Sequence, residues 1–484
     1  MNKKSDVKTG IKKMTKKMAE NKKNNPAVTN KKRLFGTDGI RGTANTYPMR
    51  PDLVQRVGMA MGYLLRQQPS QRGGGKRWVL IGKDTRLSGY MIETALASGL
   101  NAMGVQVQLV GPLPTPGIGF VARNMRVDAG IVISASHNAY YDNGIKIFGH
   151  DGFKISDEME NQIEELVFSS ELDQLLVESK EIGRTRRIDD ASGRYVVYAK
   201  NAMPLDLTLD GFRIVLDCAN GAAYKVAPAI FEELGAEVIV IGNEPNGFNI
   251  NDKVGALHPQ RTCEAVKKYR ADVGISLDGD ADRVIMVDET GQIVDGDHIL
   301  AICALHLKKQ NKLSHNTIVA TQMSNYGLDK LMNKNGINVI RTGVGDKYVV
   351  ESMRNQKLVL GGEQSGHIIF LDHSTTGDGC VAALNVLSVV VQEGKKLSEL
   401  NNVMQNVPQV LINTRVKYRK ELDQIEGLDS IVKSFETELN GEGRIFIRYS
   451  GTEPVIRVLL EGPDKKRIAQ MAEEIATYLQ KELS

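Results

Sequence analysis

The sequence predicts an α/β protein built from three tandem, related α/β domains followed by a smaller C-terminal α+β domain. Three observations predict it. At 484 residues the chain is several times the usual domain size. Three stretches share one plan: a short apolar strand, a loop, an amphipathic helix, a glycine and a second apolar strand. The end of the chain abandons that plan for two strand-like runs around a tight turn and one long helix.

The repeats are RWVLIGKDTRLSGYMIETALASGLNAMGVQVQLVG, FRIVLDCANGAAYKVAPAIFEELGAEVIVIG and TIVATQMSNYGLDKLMNKNGINVIRTG. Each switches from strand to helix period and back, and Gly104, Gly235 and Gly336 stand where a helix would stop. At the end, GRIFIRYS and VIRVLLEG flank an SGTEP turn, and KKRIAQMAEEIATYLQKEL has helical period. Boundaries near residues 190, 293 and 405 give domains at 33–190, 191–293, 294–405 and 406–484, after an extension at 1–32.

Composition narrows the class. No apolar run approaches the roughly 18 to 20 residues that cross a bilayer, so a soluble chain with no membrane span is expected. Cys218, Cys263, Cys303 and Cys380 are far apart, form no CxxC pair and have no metal spacing with histidine, which points to buried thiols in a reducing cytoplasm. Met1 to Lys32 hold eleven lysines against Asp6 and Glu20, so this tail alone makes the chain basic. It lacks the apolar core of a secretory signal and has no arginine before Arg33, a poor match to a mitochondrial transit peptide. A solvated extension is the plain reading, an anion, RNA or membrane contact the rival; no function is assigned to it and no nucleic-acid partner is expected. The absence of GxSxG, GxxxxGK[ST] and GxGxxG weighs against an α/β-hydrolase, a P-loop NTPase and a dinucleotide oxidoreductase.

Four short segments carry chemistry. In ISLDGDADRVIMVDE, Asp278, Asp280 and Asp282 alternate along a loop between two apolar strands, a spacing that turns three carboxylates toward one point. At about 5 Å they repel by a few kcal/mol per pair, which a hard cation such as Mg²⁺ relieves. An EF-hand competes, since Glu289 falls at its twelfth position, but Arg283 stands where that loop needs glycine and the flanks are strands. GGEQSGH offers Glu363, Ser365 and His367 for sugar hydroxyls or proton movement, and equally suits a polar turn. RYSGTEPVIR offers Ser450, Gly451 and Thr452 as hydroxyls and backbone N–H groups between Arg448 and Arg457, the chemistry of a phosphate cradle, with a bare β-turn as the rival. In GIVISASHNAYYDNGIK the strand ends near Ser134, leaving Ser136 beyond it beside His137, the better place for an exposed nucleophile.

FGTDGIRG, SASHN, DGDADR, GEQSGH and RYSGTEP, in this order, resemble the signature set of the α-D-phosphohexomutases, and FGTDGIRG and GEQSGH most resemble its bacterial amino-sugar branch. The resemblance runs from about Arg33 to the end of the chain and implies mixed sheets arranged around a central cleft. It implies that Ser136 carries the phosphate, that one Mg²⁺ sits on Asp278, Asp280, Asp282 and a phosphate oxygen of Ser136, and that Arg283 supports them. It further implies that the Arg448 to Arg457 loop holds the remote phosphate while Glu363, Ser365 and His367 hold the sugar. Lys146 and Arg41 are the candidates for proton transfer or charge stabilisation, with His137 supporting.

The activity so implied interconverts glucosamine 6-phosphate and glucosamine 1-phosphate through a 1,6-bisphosphate, feeding UDP-N-acetylglucosamine and peptidoglycan precursors. Glucosamine or glucose 1,6-bisphosphate would prime the enzyme, a homodimer is the implied assembly, and the kinase that first phosphorylates Ser136 has no signature in the chain. A sister mutase for glucose or mannose phosphates, a Mg²⁺-dependent phosphatase and a non-catalytic phosphosugar binder are the competing readings. Ala139 departs from the resemblance, standing where proline is usual, so the loop after Ser136 is expected to be less constrained.

Overall fold

The three repeats fold into three separate sheets built on one plan. The computed structural model describes residues 34–450 and 454–484. The first repeat gives parallel strands Trp78–Lys83 and Gln106–Pro112, joined by helix Gly89–Ala102; a third parallel strand, Ala129–Ile133, pairs with the first, and Asp142–Gly149 runs antiparallel to the third. The second unit repeats this with Arg213–Asp217, Glu237–Ile241, Val273–Leu277 and antiparallel Val284–Asp288. The third does so with Thr317–Thr321, Asn338–Thr342, Leu360–Gly362 and antiparallel Ile368–Phe370. In each sheet these strands lie in the order fourth, third, first, second. Gly104, Gly235 and Gly336 sit after their helices at φ +80°, +99° and +61°, the left-handed stop that an L side chain resists.

Local differences decorate this plan. The first sheet is widened to seven strands by Phe35–Gly36, Gly39–Thr43 and Thr185–Arg187, and the second gains Ile293–Val294. All three sheets are therefore mixed. The C-terminal domain is a three-stranded antiparallel sheet, Gln409–Arg415, Val455–Glu461 and Arg444–Tyr449, covered by helices Leu428–Leu439 and Lys465–Glu482.

One apolar core runs through the three α/β units, joining Leu80, Val132 and Phe148 to Leu216, Ile275 and Met286 and on to Ile318 and Leu360. Helix Gly379–Glu393 explains the continuity: it is apolar all round and packs against helices Gly296–Lys309 and Ala191–Lys200 and strand Val284–Asp288. The C-terminal domain keeps its own core around Ile456, Val458, Ile475 and Leu479. It meets the third unit through polar groups: buried Glu461 accepts from the N–H of Tyr326 at 3.0 Å and pairs with Arg444, while Asn325 exchanges two hydrogen bonds with the backbone of Val407.

The repeat has a functional consequence. The turn between the third and fourth strands carries SASHN in the first unit, DGDADR in the second and GEQSGH in the third. In the C-terminal sheet RYSGTEP falls in sequence where the paired strands Arg444–Tyr449 and Val455–Glu461 follow one another, its residues 451–453 lying outside the described ones. Four motifs far apart in sequence thus fall at the junctions of four antiparallel strand pairs. No described helix is long and apolar enough to cross a membrane.

Candidate active site

The acidic turn joins Val273–Leu277 to Val284–Asp288, a fully buried antiparallel pair. It forces Asp278, Asp280 and Asp282 together: their exposures are 1, 1 and 4 %, and one oxygen from each lies within 4.8 Å of the others. Among the described residues this is the one such grouping able to hold a metal ion. Burial and then the charges of Asp282 and Asp280 push Asp278 up to about 8. Burial would raise Asp282 as well, but Lys146 and His367 outweigh it and hold that carboxyl well below the usual range. Asp280 Oδ1 and Asp282 Oδ1 are buried without a hydrogen-bond partner. Three converging carboxylates, two of them with an orphaned oxygen, fit a hard divalent cation. The EF-hand reading fails here, because strands flank the loop and Glu289 instead accepts from the backbone N–H and hydroxyl of Ser398.

Ser134 and Ser136 do different things. Ser134 Oγ donates to Asp84 Oδ2 at 2.6 Å and accepts from the N–H of Ser136 at 2.9 Å, so it braces the turn. Ser136 adopts φ +51° and donates its hydroxyl to Asp278 Oδ2 at 2.6 Å, bridging 142 positions of sequence. The expectation of an exposed nucleophile is corrected: Ser136 is only 1 % exposed, because the acidic turn of the second unit closes over it. His137 Nδ1 lies 3.3 Å from Ser136 Oγ. Burial, with Arg283 and Arg41 adding to it, lowers its pKa to about 4, so the ring is neutral near pH 7.

Lys146 reaches the same carboxylates from strand Asp142–Gly149. Its Nζ is 3.0 Å from Asp280, 3.2 Å from Asp282 and 3.4 Å from Asp38. Burial alone would lower its pKa, yet Asp280 and Asp282 carry it well above the ordinary lysine value. Arg41 pairs with Asp38, and its Nε is buried without a partner. Arg283 gives its backbone N–H to Asp278 Oδ1 at 3.2 Å, and its Nε, 3.9 Å from Asp282, has no hydrogen-bond partner.

The GEQSGH turn abuts the acidic hairpin. Gly366, at φ +90°, passes so close that a Cβ there would lie 2.1 Å from the carbonyl oxygen of Val284. Glu363 Oε1 accepts from the N–H of Gly345 at 3.1 Å, and Ser365 is exposed at the tip. His367, 2 % exposed, sits with Nδ1 3.6 Å from Asp282 and Nε2 3.8 Å from Asp346, and Nε2 accepts from the N–H of Gly377 at 3.1 Å.

In the C-terminal hairpin Arg448 and Arg457 are directly opposite each other on antiparallel strands. Burial and then the charge of Arg457 lower the pKa of Arg448, whose Nε is buried without a partner. Ser450 is buried, gives its N–H to Val455 at 2.8 Å, and accepts from Arg419 at 2.6 Å through its carbonyl. Gly451 and Thr452 lie outside the described residues, as does the extension Met1 to Lys32.

Several residues of this constellation escaped the sequence reading. Asp38 stood inside FGTDGIRG and had a signal; it pairs with Arg41, Lys146 and Lys154. Lys154, Asp346, Thr115 and Arg86 had none. Lys154 bridges Asp38 and Asp346, and Thr115 donates to Asp280 Oδ2 at 2.6 Å.

Four family models match in succession: phosphoglucomutase/phosphomannomutase α/β/α domain I at residues 32–174, domain II at 194–291, domain III at 295–407 and the C-terminal domain at 411–477. A phosphoglucosamine mutase from Bdellovibrio bacteriovorus is 67 % identical over 94 % of this chain and 99 % of its own length. One from Geobacter metallireducens is 57 % identical over 93 and 99 %. Among solved structures, a phosphoglucomutase/phosphomannomutase family protein from Burkholderia thailandensis superposes with a TM-score of 0.75 at 24 % identity, covering 93 % of this chain and 98 % of that one. Aspergillus fumigatus N-acetylphosphoglucosamine mutase, in complex with GlcNAc-6P and magnesium, gives 0.65 at 18 %, covering 95 and 97 %. Shared fold, four consecutive domain matches and near full-length identity establish that the chain belongs to the phosphoglucosamine mutases of the phosphoglucomutase/phosphomannomutase family.

Proposed function

We propose that the protein interconverts glucosamine 6-phosphate and glucosamine 1-phosphate, with Ser136 as the phosphoryl carrier. The observation that carries the assignment of Ser136 is its hydroxyl, 2.6 Å from Asp278 within a buried acidic triad whose neighbours have orphaned oxygens. Asp278, Asp280 and Asp282 would hold one Mg²⁺, which when bound neutralises charge on the transferring phosphoryl group.

In the first half-reaction the P–O bond to Ser136 breaks and a P–O bond to O1 of the 6-phosphate forms, the proton leaving O1 and ending on Ser136 Oγ. In the second, the bond from phosphorus to O6 breaks, the phosphoryl returns to Ser136, and the serine proton passes to O6. Neutral His137, 3.3 Å from Ser136 Oγ, is within reach of that proton. Lys146 and Arg41, held cationic by their carboxylate neighbours, suit charge stabilisation better than proton abstraction. Glu363 and Ser365 would hold the sugar in its two orientations, with His367 fixing Asp282 against the GEQSGH turn. Arg448, Arg457 and the turn between them would hold the phosphate that is not reacting.

An enzyme of this kind must be primed, and glucosamine or glucose 1,6-bisphosphate would phosphorylate an empty Ser136. The four free cysteines are consistent with a cytoplasmic setting. The test is transfer of labelled phosphate from Ser136-phosphorylated enzyme to glucosamine 6-phosphate, with kcat/KM compared for glucosamine, glucose and mannose 6-phosphates. Label appearing in the bisphosphate with a preference for the amino sugar is expected. A preference for glucose or mannose would overturn the substrate, and label lost only to water would overturn the mutase.

A further inference from the structure

The segment that follows the reacting serine has no regular structure of its own, yet its backbone is gripped from two sides. Arg86, fully buried in the middle of the loop after strand Trp78–Lys83, turns all five guanidinium N–H groups inward. Nε donates to Asp84 Oδ2 at 2.7 Å. Nη2 donates to the carbonyls of Ser136 and Asn138, both at 2.9 Å, and Nη1 to those of Ala139 and, at 3.1 Å, Asp142. Asn251, from the second α/β unit, adds Nδ2 to two of the same acceptors: Ser136 at 2.9 Å and Asn138 at 3.1 Å. Gly279 of the acidic turn completes the enclosure, since a Cβ there would lie 2.6 Å from the Ser136 carbonyl oxygen and 2.8 Å from Asn251 Nδ2.

These contacts meet on a residue in an unfavourable conformation. Ser136 is not glycine and adopts φ +51°, a pose that persists only where its surroundings over-determine it. Ala139, in place of proline, leaves the chain on its far side free of a ring constraint. The two donors supply the constraint from outside. Because Asn251 and Gly279 belong to the unit that carries Asp278, the same grip also fixes the serine against the carboxylate that its hydroxyl meets.

We propose that Arg86 and Asn251 are positioning residues, a backbone clamp that holds Ser136 in its reacting pose through both phosphoryl transfers and keeps water from taking the phosphate. The proposal rests on Ser136 being the phosphoryl carrier. When the clamp is loosened, the P–O bond to Ser136 is cleaved by water in place of the sugar hydroxyl, giving free serine and inorganic phosphate.

The experiment uses the full chain with Mg²⁺ and glucose 1,6-bisphosphate, and compares wild type, Asn251→Gly, Arg86→Lys and the double variant Asn251→Gly/Ala139→Pro. Asn251 itself sits at φ +59°, so glycine removes the donor without straining the backbone and keeps the test open even where Arg86→Lys fails to fold. Three quantities are read: kcat and KM for glucosamine 6-phosphate, inorganic phosphate released per turnover, and Tm. For Asn251→Gly we expect kcat to fall about 10- to 100-fold with KM within about twofold, and phosphate release per turnover to rise about tenfold. Proline at 139 should restore part of the lost kcat by tightening the same loop.

Wild-type kcat in Asn251→Gly, or a loss that follows Tm alone with unchanged phosphate release, would reduce the clamp to a folding element and overturn the proposal. So would a double variant no better than the single one. Intact mass separates the two levels: wild type without phosphate on Ser136 removes the carrier and the clamp together, whereas a phosphorylated Ser136 with an indifferent Asn251→Gly removes the clamp alone.

Discussion

The two hairpins assigned to phosphate solve opposite electrostatic problems. Around the serine hairpin the buried cations have opposite neighbours: Lys146 lies among Asp280, Asp282 and Asp38, and Arg86, from the neighbouring loop, is paired with Asp84. In the C-terminal hairpin two arginines face each other across antiparallel strands, a like-charge pair in which the charge of Arg457 adds to burial in lowering the pKa of Arg448. The first holds its cation in place against fixed carboxylates, which favours preorganisation over rearrangement during reaction. The second sets two like charges side by side, which on the proposed function suits a phosphate that must be caught and released in two orientations.

The sharpest test of this contrast is at the serines. Ser136→Ala should abolish turnover and leave no phosphoserine by mass, while Ser134→Ala, which loses the brace to Asp84 and to the N–H of Ser136, should keep a measurable rate. Equal loss in both would mean the hairpin acts as one polar unit and undo the division between them. Next in size is Asp280→Asn. The Mg²⁺ concentration for half-maximal activity should rise at least the about 10- to 100-fold that losing even an outer-sphere partner costs. An unchanged metal requirement would remove Asp280 from the cation site.

What could be read ahead of the structure follows the same division. Asp278, Asp280 and Asp282 were legible because their alternation and the apolar runs around them are local, and two strands with a turn leave few other geometries. That Ser136 lies past the strand end was legible for the same reason. Its burial was not, since the lid over it comes from residues more than a hundred positions away. Arg86 looks like any charged loop residue until the fold brings four carbonyl groups around it. Asp38 sat in plain view in FGTDGIRG, but its value depends on Lys146 and Lys154 arriving from another strand and a loop.

The arginine hairpin should respond more mildly and in the opposite sense for stability. Losing one charge-assisted hydrogen bond to phosphate, about 1.5–3 kcal/mol, predicts that Arg448→Gln raises KM for glucosamine 6-phosphate by about 10- to 100-fold with kcat little changed. Because it also removes half of a like-charge pair, Tm in the absence of phosphate should hold or rise. A fall in Tm with unchanged KM would show that Arg448 serves the sheet and not a ligand.

The smallest effect distinguishes the hairpins by pH. His137 is lowered to about 4, so between pH 4 and 6.5 the unfolded chain binds the extra proton and this group makes stability rise with pH. Asp278 is raised to about 8, so from its ordinary value up to pH 8 the folded chain binds the extra proton and stability falls as pH rises. Below pH 6.5 the two oppose each other; between 6.5 and 8 Asp278 acts in the same direction as Asp297, raised to about 7, and His367, also raised. The metal-free protein should therefore lose a few degrees of Tm across that upper window. Mg²⁺ should flatten the slope, because a cation on the carboxylate displaces its proton. Asp278→Asn should make it shallower without Mg²⁺, and Arg448→Gln should leave it intact. If Arg448→Gln flattened the slope as well, the two hairpins would be electrostatically coupled, and the contrast between a site of opposite-charge neighbours and one of like-charge neighbours would fail.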